Sequence, residues 1–309
     1  NLSMPAETVV FGTVFMDCKG FAAYRYDPLG RNVGSVRFIH GGVGRNVAED
    51  LASIGAKVSF VSSVDDSALG LEVLNRLKNE GIDVGHVRRA PSSGMGLWLA
   101  IMDQNGDLAA SISQMPDLSI MDEIVRSEGE SIVAGCKNVI LELDLNDHIS
   151  TTVLSLAKRY GKKVYGITGN MEVILRNRPM LGGLECYICN ETEAGRLLER
   201  EIPTREPEAA LALLRGYVDA DGLKSMVITM GEQGSVYYDA VSAESGFCPS
   251  IPTKVTDSSG AGDAFFSGTV EALIRGFPLG QAVGYGTRLA SWTIEVAEPT
   301  RTPLPGNLF

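Results

Sequence analysis

Asp257-Ser258-Ser259-Gly260-Ala261-Gly262-Asp263-Ala264-Phe265-Phe266-Ser267-Gly268 carries a glycine turn, a carboxylate just after it, and an apolar run at helical spacing. A glycine turn at a helix N-terminus leaves backbone N–H groups unpaired, here those expected at Gly260, Ala261 and Gly262. These groups and the positive end of the helix dipole form an anion site. Asp263 then falls in the first helical turn, beside any bound anion. A carboxylate there suits the removal of a proton from a hydroxyl that attacks a phosphoryl group. The competing reading of so short a string is a glycine cap on an ordinary core helix, with Asp263 complementing the dipole.

Working outward, the pattern is one of alternation. Thr8–Thr13, Lys57–Val61, Asn138–Leu143, Lys163–Ile167, Glu185–Cys189 and Met226–Thr229 read as buried strands. Between them, Arg45–Ile54, a segment from Asp66 or Ser67 to Gly81, Ile149–Tyr160 and Pro207–Tyr217 have helical apolar spacing. Strand–helix alternation predicts an α/β fold with a doubly wound, mostly parallel central sheet flanked by helices. Two β-like runs, Met95–Met102 and Leu108–Gln114, joined by Gln104-Asn105-Gly106, break the pattern, as does Ser35–His40. They predict a small antiparallel sheet serving as a lid. With 309 residues and 44% apolar composition, a single domain spanning 1–309 is expected, with the lid formed by inserts at about 15–41 and 90–116.

The net charge of −11, with no basic run, argues against a nucleic-acid polymer as partner. No apolar run reaches membrane-spanning length, so no membrane partner is expected. No signal peptide is expected, and Asn1–Ser3 ahead of Met4 reads as an appended remnant. Five scattered cysteines suit a reducing cytoplasm. Cys186-Tyr-Ile-Cys189 lies in an apolar run without a second pair, which favours a buried strand over a redox or metal pair. His40, His86 and His148 form no cluster and read as structural, His40 excepted for its nearness to Gly41-Gly42.

Four further strings place polar groups at the ends of strands or the starts of helices. Gly41-Gly42-Val43-Gly44-Arg45-Asn46 opens the first long helix, where glycine admits a ligand close to the backbone. The pattern is not a nucleotide P-loop, which the chain lacks throughout. Asp17 follows the first strand, at the sheet edge where such folds bind ligands, and a carboxylate accepts from vicinal hydroxyls. Asn190-Glu-Thr-Glu193 follows a buried strand and offers the oxygen donors that Mg²⁺ takes while keeping its waters; the alternative is a helix cap. Thr229-Met-Gly231-Glu-Gln-Gly234 is either a phosphate-facing turn or a plain hairpin.

Taken together, these strings resemble the PfkB, or ribokinase-like, carbohydrate kinase family over nearly the whole chain. Asp257–Asp263 is similar to its C-terminal signature, with Ser258 where Thr is usual; Gly41-Gly42 and Asn46 match its sugar-binding motif. The resemblance implies an ATP-dependent kinase with Asp263 as base and Gly260, Ala261 and Gly262 as anion hole. It implies Asp17, Gly41, Gly42 and Asn46 for the substrate hydroxyls. On the nucleotide side it implies Asn190, Thr229, Gly231, Gly234 and Asp257, with Glu193 and Asn190 ordering Mg²⁺ through water. The segment Gly280–Glu295 is expected to flank adenine. A monovalent cation (K⁺) near Val255, Asp257 and Ala297 stays open, as does a homodimer formed through the lid.

Asp27 to Ala48, with Asp17-Cys-Lys-Gly20, is most similar to bacterial pseudouridine kinases, although His40 stands where those have proline. That implies transfer to the 5′-hydroxyl of pseudouridine, with lid residues Ser111, Ser113 and Gln114 at the uracil edge. The alternatives are a ribokinase-type or other sugar or nucleoside kinase and, from another class, a kinase-fold sensor without catalysis.

Overall fold

The computed structural model describes residues 6–309; Asn1–Ser3, and with them the expectation of an appended remnant, lie outside that range. The strands and helices follow in chain order as β1 (Thr8–Phe11), β2 (Phe15–Ala22), β3 (Gly34–Gly41), α1 (Val43–Ser53), β4 (Val58–Asp65), α2 (Ala68–Asn79), β5 (Asp83–Ala90), β6 (Gly96–Met102) and β7 (Leu108–Gln114). Then come α3 (Ser119–Ala134), β8 (Asn138–Glu142), α4 (Asp147–Arg159), β9 (Lys163–Ile167), α5 (Glu172–Arg176), β10 (Cys186–Asn190), α6 (Glu191–Leu198), α7 (Pro207–Asp221) and β11 (Ser225–Thr229). The chain closes with β12 (Ser235–Asp239), β13 (Glu244–Cys248), α8 (Ala261–Ile274) and α9 (Leu279–Thr293).

Nine strands form the main sheet in the order β13-β12-β11-β10-β9-β8-β1-β4-β5. All pairings from β11 to β5 are parallel, and β12 and β13 add an antiparallel edge. Alternation within one strand divides the core between two faces. Val9 and Phe11 belong to the cluster that holds the apolar residues of α3, α4, α6 and α7; Val10 belongs to the cluster of α1, α2, α8 and α9. Cys186 and Cys189 are buried on opposite faces of β10, one in each cluster, so they are not a pair.

The chain leaves β1 for β4 on one side and returns to β8 on the other, so the sheet's switch point lies between β1 and β8. Ligands bind outside the carboxyl ends of strands at such points. Helix α1 packs here at backbone contact with β1. A Cβ on Gly44 would lie 2.5 Å from the Cα of Gly12, so both positions exclude side chains. Gly42 precedes α1 at φ +96°, where a Cβ would also strike Thr13 O at 2.5 Å.

The second sheet has the order β3-β2-β6-β7. It is not wholly antiparallel as the sequence suggested, because its central pair, β2 with β6, runs parallel. Both strands leave the same end of the main sheet, so they cannot run opposite ways. Asp17, Trp98 and Ser113 stand in one cross-strand row, and Cys18, Leu99 and Ile112 in the next row on the other face.

Candidate active site

At the switch point lies a cavity of about 760 Å³ whose lining includes Thr13, Asp17, Gly42, Asn46, Glu142 and Asp263. Trp98 and Ser113 of the small sheet and Asp144 and Asn170 of the loops after β8 and β9 complete it. Three of its polar groups come from elements distant in sequence. Asp17 comes from β2, Asn46 from the first turn of α1, and Asp263 from the first turn of α8.

The join between the two helices is direct: Asn46 Nδ2 donates to Asp263 Oδ2 at 2.9 Å. Asp263 keeps part of its surface on the cavity and is enclosed elsewhere. Burial pushes its carboxyl up to about 6, against the lowering effect of the Asn46 hydrogen bond and the Arg45 charge. Asp17 is likewise raised by burial, with Lys19 and Arg45 acting the other way. Its carboxylate rests against Gly41, whose missing Cβ would sit 3.3 Å from Asp17 Oδ2.

The turn before α8 is tighter than its sequence suggests. Gly260 is the N-cap at φ +77°, and a Cβ there would lie 2.2 Å from Pro299 O. The N–H of Ala261 is not free: it donates to Ser258 O at 3.2 Å, an i→i−3 bond that closes the turn. Gly260 and Gly262 carry the available N–H groups. Asp257 is also committed locally, since its Oδ1 accepts from Ser259 N–H at 2.8 Å.

Of the lid residues named from sequence, the structure brings only Ser113 to the cavity. Ser111 shares its face but lies outside the lining, and Gln114 points to the opposite face by strand alternation. His40 is buried beside Glu72, with Nε2 3.2 Å from Oε1, and does not line the cavity.

The other strings lie along the same edge, at the ends of β10 and β11, outside the cavity lining. Asn190 and Glu193 form a reciprocal capping box at α6, with bonds of 2.8 and 2.9 Å, so one oxygen of each is spoken for. Burial raises the Glu193 carboxyl, and its charge bears on both Asp263 and Asp144. Thr229 Oγ1 donates to Cys189 O at 3.4 Å, and Gly231 and Gly234, at φ +57° and +86°, shape the β11–β12 hairpin. The segment Gly280–Glu295 lies mostly in α9, whose Gly280 N–H donates to Glu244 Oε1 at 2.8 Å. Among the described residues, no cluster of three or more acidic, histidine or cysteine side chains forms a ready metal cage.

Three residues here escaped the sequence reading. Glu142 at the end of β8 accepts from Gly44 N–H (2.8 Å) and from Thr13 N–H and Oγ1 (3.3 and 3.1 Å), so it caps α1 from across the sheet. Its burial raises the carboxyl to about 7. Asp144, raised to about 7 by burial, accepts the N–H groups of Gly169 and Asn170, and its Oδ1 is buried without a partner. Arg45 is fully buried beside Asn46. A buried strand ending Glu-Leu-Asp, and an Arg inside a glycine string, were the available signals.

The model of the pfkB family carbohydrate kinases matches residues 5–306. The chain belongs to this family. Members are phosphotransferases with an alcohol acceptor. The chain is 36% identical over 294 residues to a guanosine-inosine kinase of Exiguobacterium acetylicum, covering 95% of this chain and 96% of that one. It is 27% identical over 296 residues to the pseudouridine kinase of Escherichia coli (strain K12), covering 96% and 92%. The fold matches Arabidopsis thaliana ribokinase, solved with ribose and ATP, at a TM-score of 0.81 and 21% identity over 97% of both chains. The pfkB fold thus spans the chain. Among the described residues no helix is long and apolar enough to cross a membrane.

A carboxyl raised by burial makes its charged form a cost to the folded state. For Asp263 that cost is fully present above pH 6, fades as pH falls, and is gone below the unfolded value near 3.8. Asp263→Asn should therefore stabilise the fold by on the order of 1 kcal/mol at pH 8 and by little at pH 4. Thermal melts of both proteins at the two pH values check this.

Proposed function

We propose that this pfkB kinase transfers the γ-phosphoryl group of ATP to the 5′-hydroxyl of a ribonucleoside. The observation that carries the reading is the Asp263 carboxylate. It stands on the wall of the Asp17–Asn46 cavity, in the first turn of a helix whose leading N–H groups are partly free. Asp17 and Asn46 hold the ribose hydroxyls, with Gly41 and Gly42 leaving room for the sugar. Asp263 takes the proton of the attacking hydroxyl as its oxygen bonds to phosphorus; ADP leaves and the proton stays on Asp263. The N–H groups of Gly260 and Gly262 face the charge on the transferred group. Bound Mg·ATP would supply that group and neutralise its charge. Asn190, Thr229, Gly231, Gly234 and Asp257 lie on the nucleotide side. Glu193 fits a water-mediated Mg²⁺, since the capping box engages only one of its carboxylate oxygens. A monovalent cation near Asp257 is part of this reading, and the dependence of turnover on K⁺ tests it.

A base bearing carbonyl groups completes the substrate. The 36% identity to a guanosine-inosine kinase favours a 6-oxopurine nucleoside. Pseudouridine is the second reading, favoured by the local match at Asp17–Gly20 and Gly41–Asn46. In this reading the chain acts as one unit, with segments 15–41 and 90–116 as the lid.

The lid's outer face is apolar. Phe38, Leu99 and Ile112 stand in register across it with 55, 46 and 68% of their surfaces exposed, and Val36 with 65%. Such a patch fits a second copy of the chain. Light scattering should give a dimer mass for the native protein and a monomer for Ile112→Glu; a native monomer overturns the pairing.

The kinase reading is checked by ADP release with Mg·ATP, with and without K⁺, on guanosine, inosine, pseudouridine, adenosine and ribose. Turnover should favour a ribonucleoside with an oxo base, and Asp263→Asn should lose about 10²–10⁴-fold in kcat with nucleoside binding kept. Turnover on ribose alone would replace the nucleoside assignment. A fully active Asp263→Asn would remove Asp263 as the base.

A further inference from the structure

Arg45 is the largest fully buried side chain among the described residues. A guanidinium has five N–H donors and no acceptor, so its environment must supply oxygens. Here they come from three directions. Nε donates to Gly41 O at 2.8 Å and Nη2 to His40 O at 2.9 Å, the last two carbonyls of β3 before Gly42, the N-cap of α1. Nη2 also donates to Asn46 Oδ1, and Nη1 pairs with Glu49 one turn along α1. Glu49 is in turn held by Arg76 Nε at 2.7 Å. Arg76 reaches Glu298 and Thr300 at 3.3 and 3.2 Å, next to the Pro299 carbonyl that abuts Gly260.

We infer that Arg45 is a positioning residue that ties the lid strand β3 to the catalytic carboxylate by fixing the orientation of the Asn46 amide. An amide has one accepting and one donating end, and the ends exchange on a flip. Arg45 offers only donors and ionised Asp263 only acceptors. With Asn46 between them, a single orientation satisfies both: Oδ1 to Arg45 and Nδ2 to Asp263. Without the guanidinium the amide is free to turn its oxygen toward the carboxylate. The same cation grips the two carbonyls that end β3, so a movement of this lid strand relative to α1 acts on the group that aims Asp263. Lys cannot substitute, since one ammonium with three donors does not span the four acceptors in this plane.

The inference rests on the kinase reading, with Asp263 as base. Its charge environment includes Arg45, which lowers its pKa, Glu193, which raises it, and Asp50, a neighbour on α1 whose own burial keeps it well above the carboxylate range. Removing Arg45 therefore moves Asp263 upward.

The test compares native protein, Arg45→Lys, Arg45→Met, Asn46→Ala and the double variant Arg45→Met/Asn46→Ala. Because Arg45→Met leaves the buried Glu49 carboxylate with Arg76 as its one cation and a 3.4 Å bond from Thr300 Oγ1, Arg45→Met/Glu49→Gln is made beside it to keep the fold. Two readouts are taken: the Asp263 titration by carboxyl-carbon NMR without ligands, and kcat and KM across pH on the best substrate. Arg45→Met should raise the Asp263 midpoint by about 1 unit, shift the acid limb of kcat/KM with it, and lower kcat about 10–100-fold more than it changes KM. Arg45→Lys should fall between. The double variant should be no worse than Asn46→Ala, because both losses act through one amide. An unmoved Asp263 titration and additive losses, in folded variants of an active enzyme, overturn the inference and leave the kinase reading intact. An inactive native protein, with Asp263→Asn indistinguishable from it, removes the kinase reading instead.

Discussion

A single hydrogen bond between two helix N-termini, Asn46 Nδ2 to Asp263 Oδ2 at 2.9 Å, joins residues 217 positions apart and defines the site. Both helices must start at the same point of the sheet for it to form. Helix α1 is brought there by backbone contact of Gly44 with Gly12 and by Glu142, which caps it from β8. Helix α8 is brought there by its apolar body: Ala264–Ala272 are buried without interruption, so it lies inside the layer between α1 and α9. The polar chemistry at the helix starts is therefore positioned largely by apolar packing and by glycine.

That placement sets the electrostatics. Enclosure raises Asp263, Glu142 and Asp144 toward neutral pH, because each loses water and gains too few donors in return. A carboxyl near 6 is ionised at physiological pH yet basic enough to take a proton, the compromise that general-base chemistry asks for. The cost to the fold is real and local. It is offset by the two extended core clusters on either side of the sheet.

Much of this was legible in the chain. β7 and β9 have the bounds read from their sequences, and the other elements given bounds fall within two or three residues, except β4 and α7, which run on past the ends read for them; buried parallel strands such as β9 are plain apolar runs, whereas α3 was not read. β5, Asp83–Ala90, escaped because it holds charged Arg88 and Arg89 and lies at the sheet's edge, half covered. Although the glycine turn before Asp263 alone fits an ordinary helix cap as well, the Asp17, Asn46 and Asp263 constellation was visible because the strings around all three resemble one family's motifs in order. Glu142, Asp144 and Arg45 were not. Their roles come from partners 98 residues away, as Glu142 is from Gly44, or from burial that no local pattern encodes. Gln114 failed for a simpler reason: one step along a strand reverses the face. Ala261 failed because the turn consumes its own donor.

The account turns on Asp263 being the group whose ionisation switches the site on. The most direct measurement is kcat/KM of the native protein from pH 5 to 9 with Mg·ATP and its best nucleoside. The account predicts activity rising tenfold per unit at low pH and levelling above a midpoint near the Asp263 value of about 6. A profile flat down to pH 5 would contradict it.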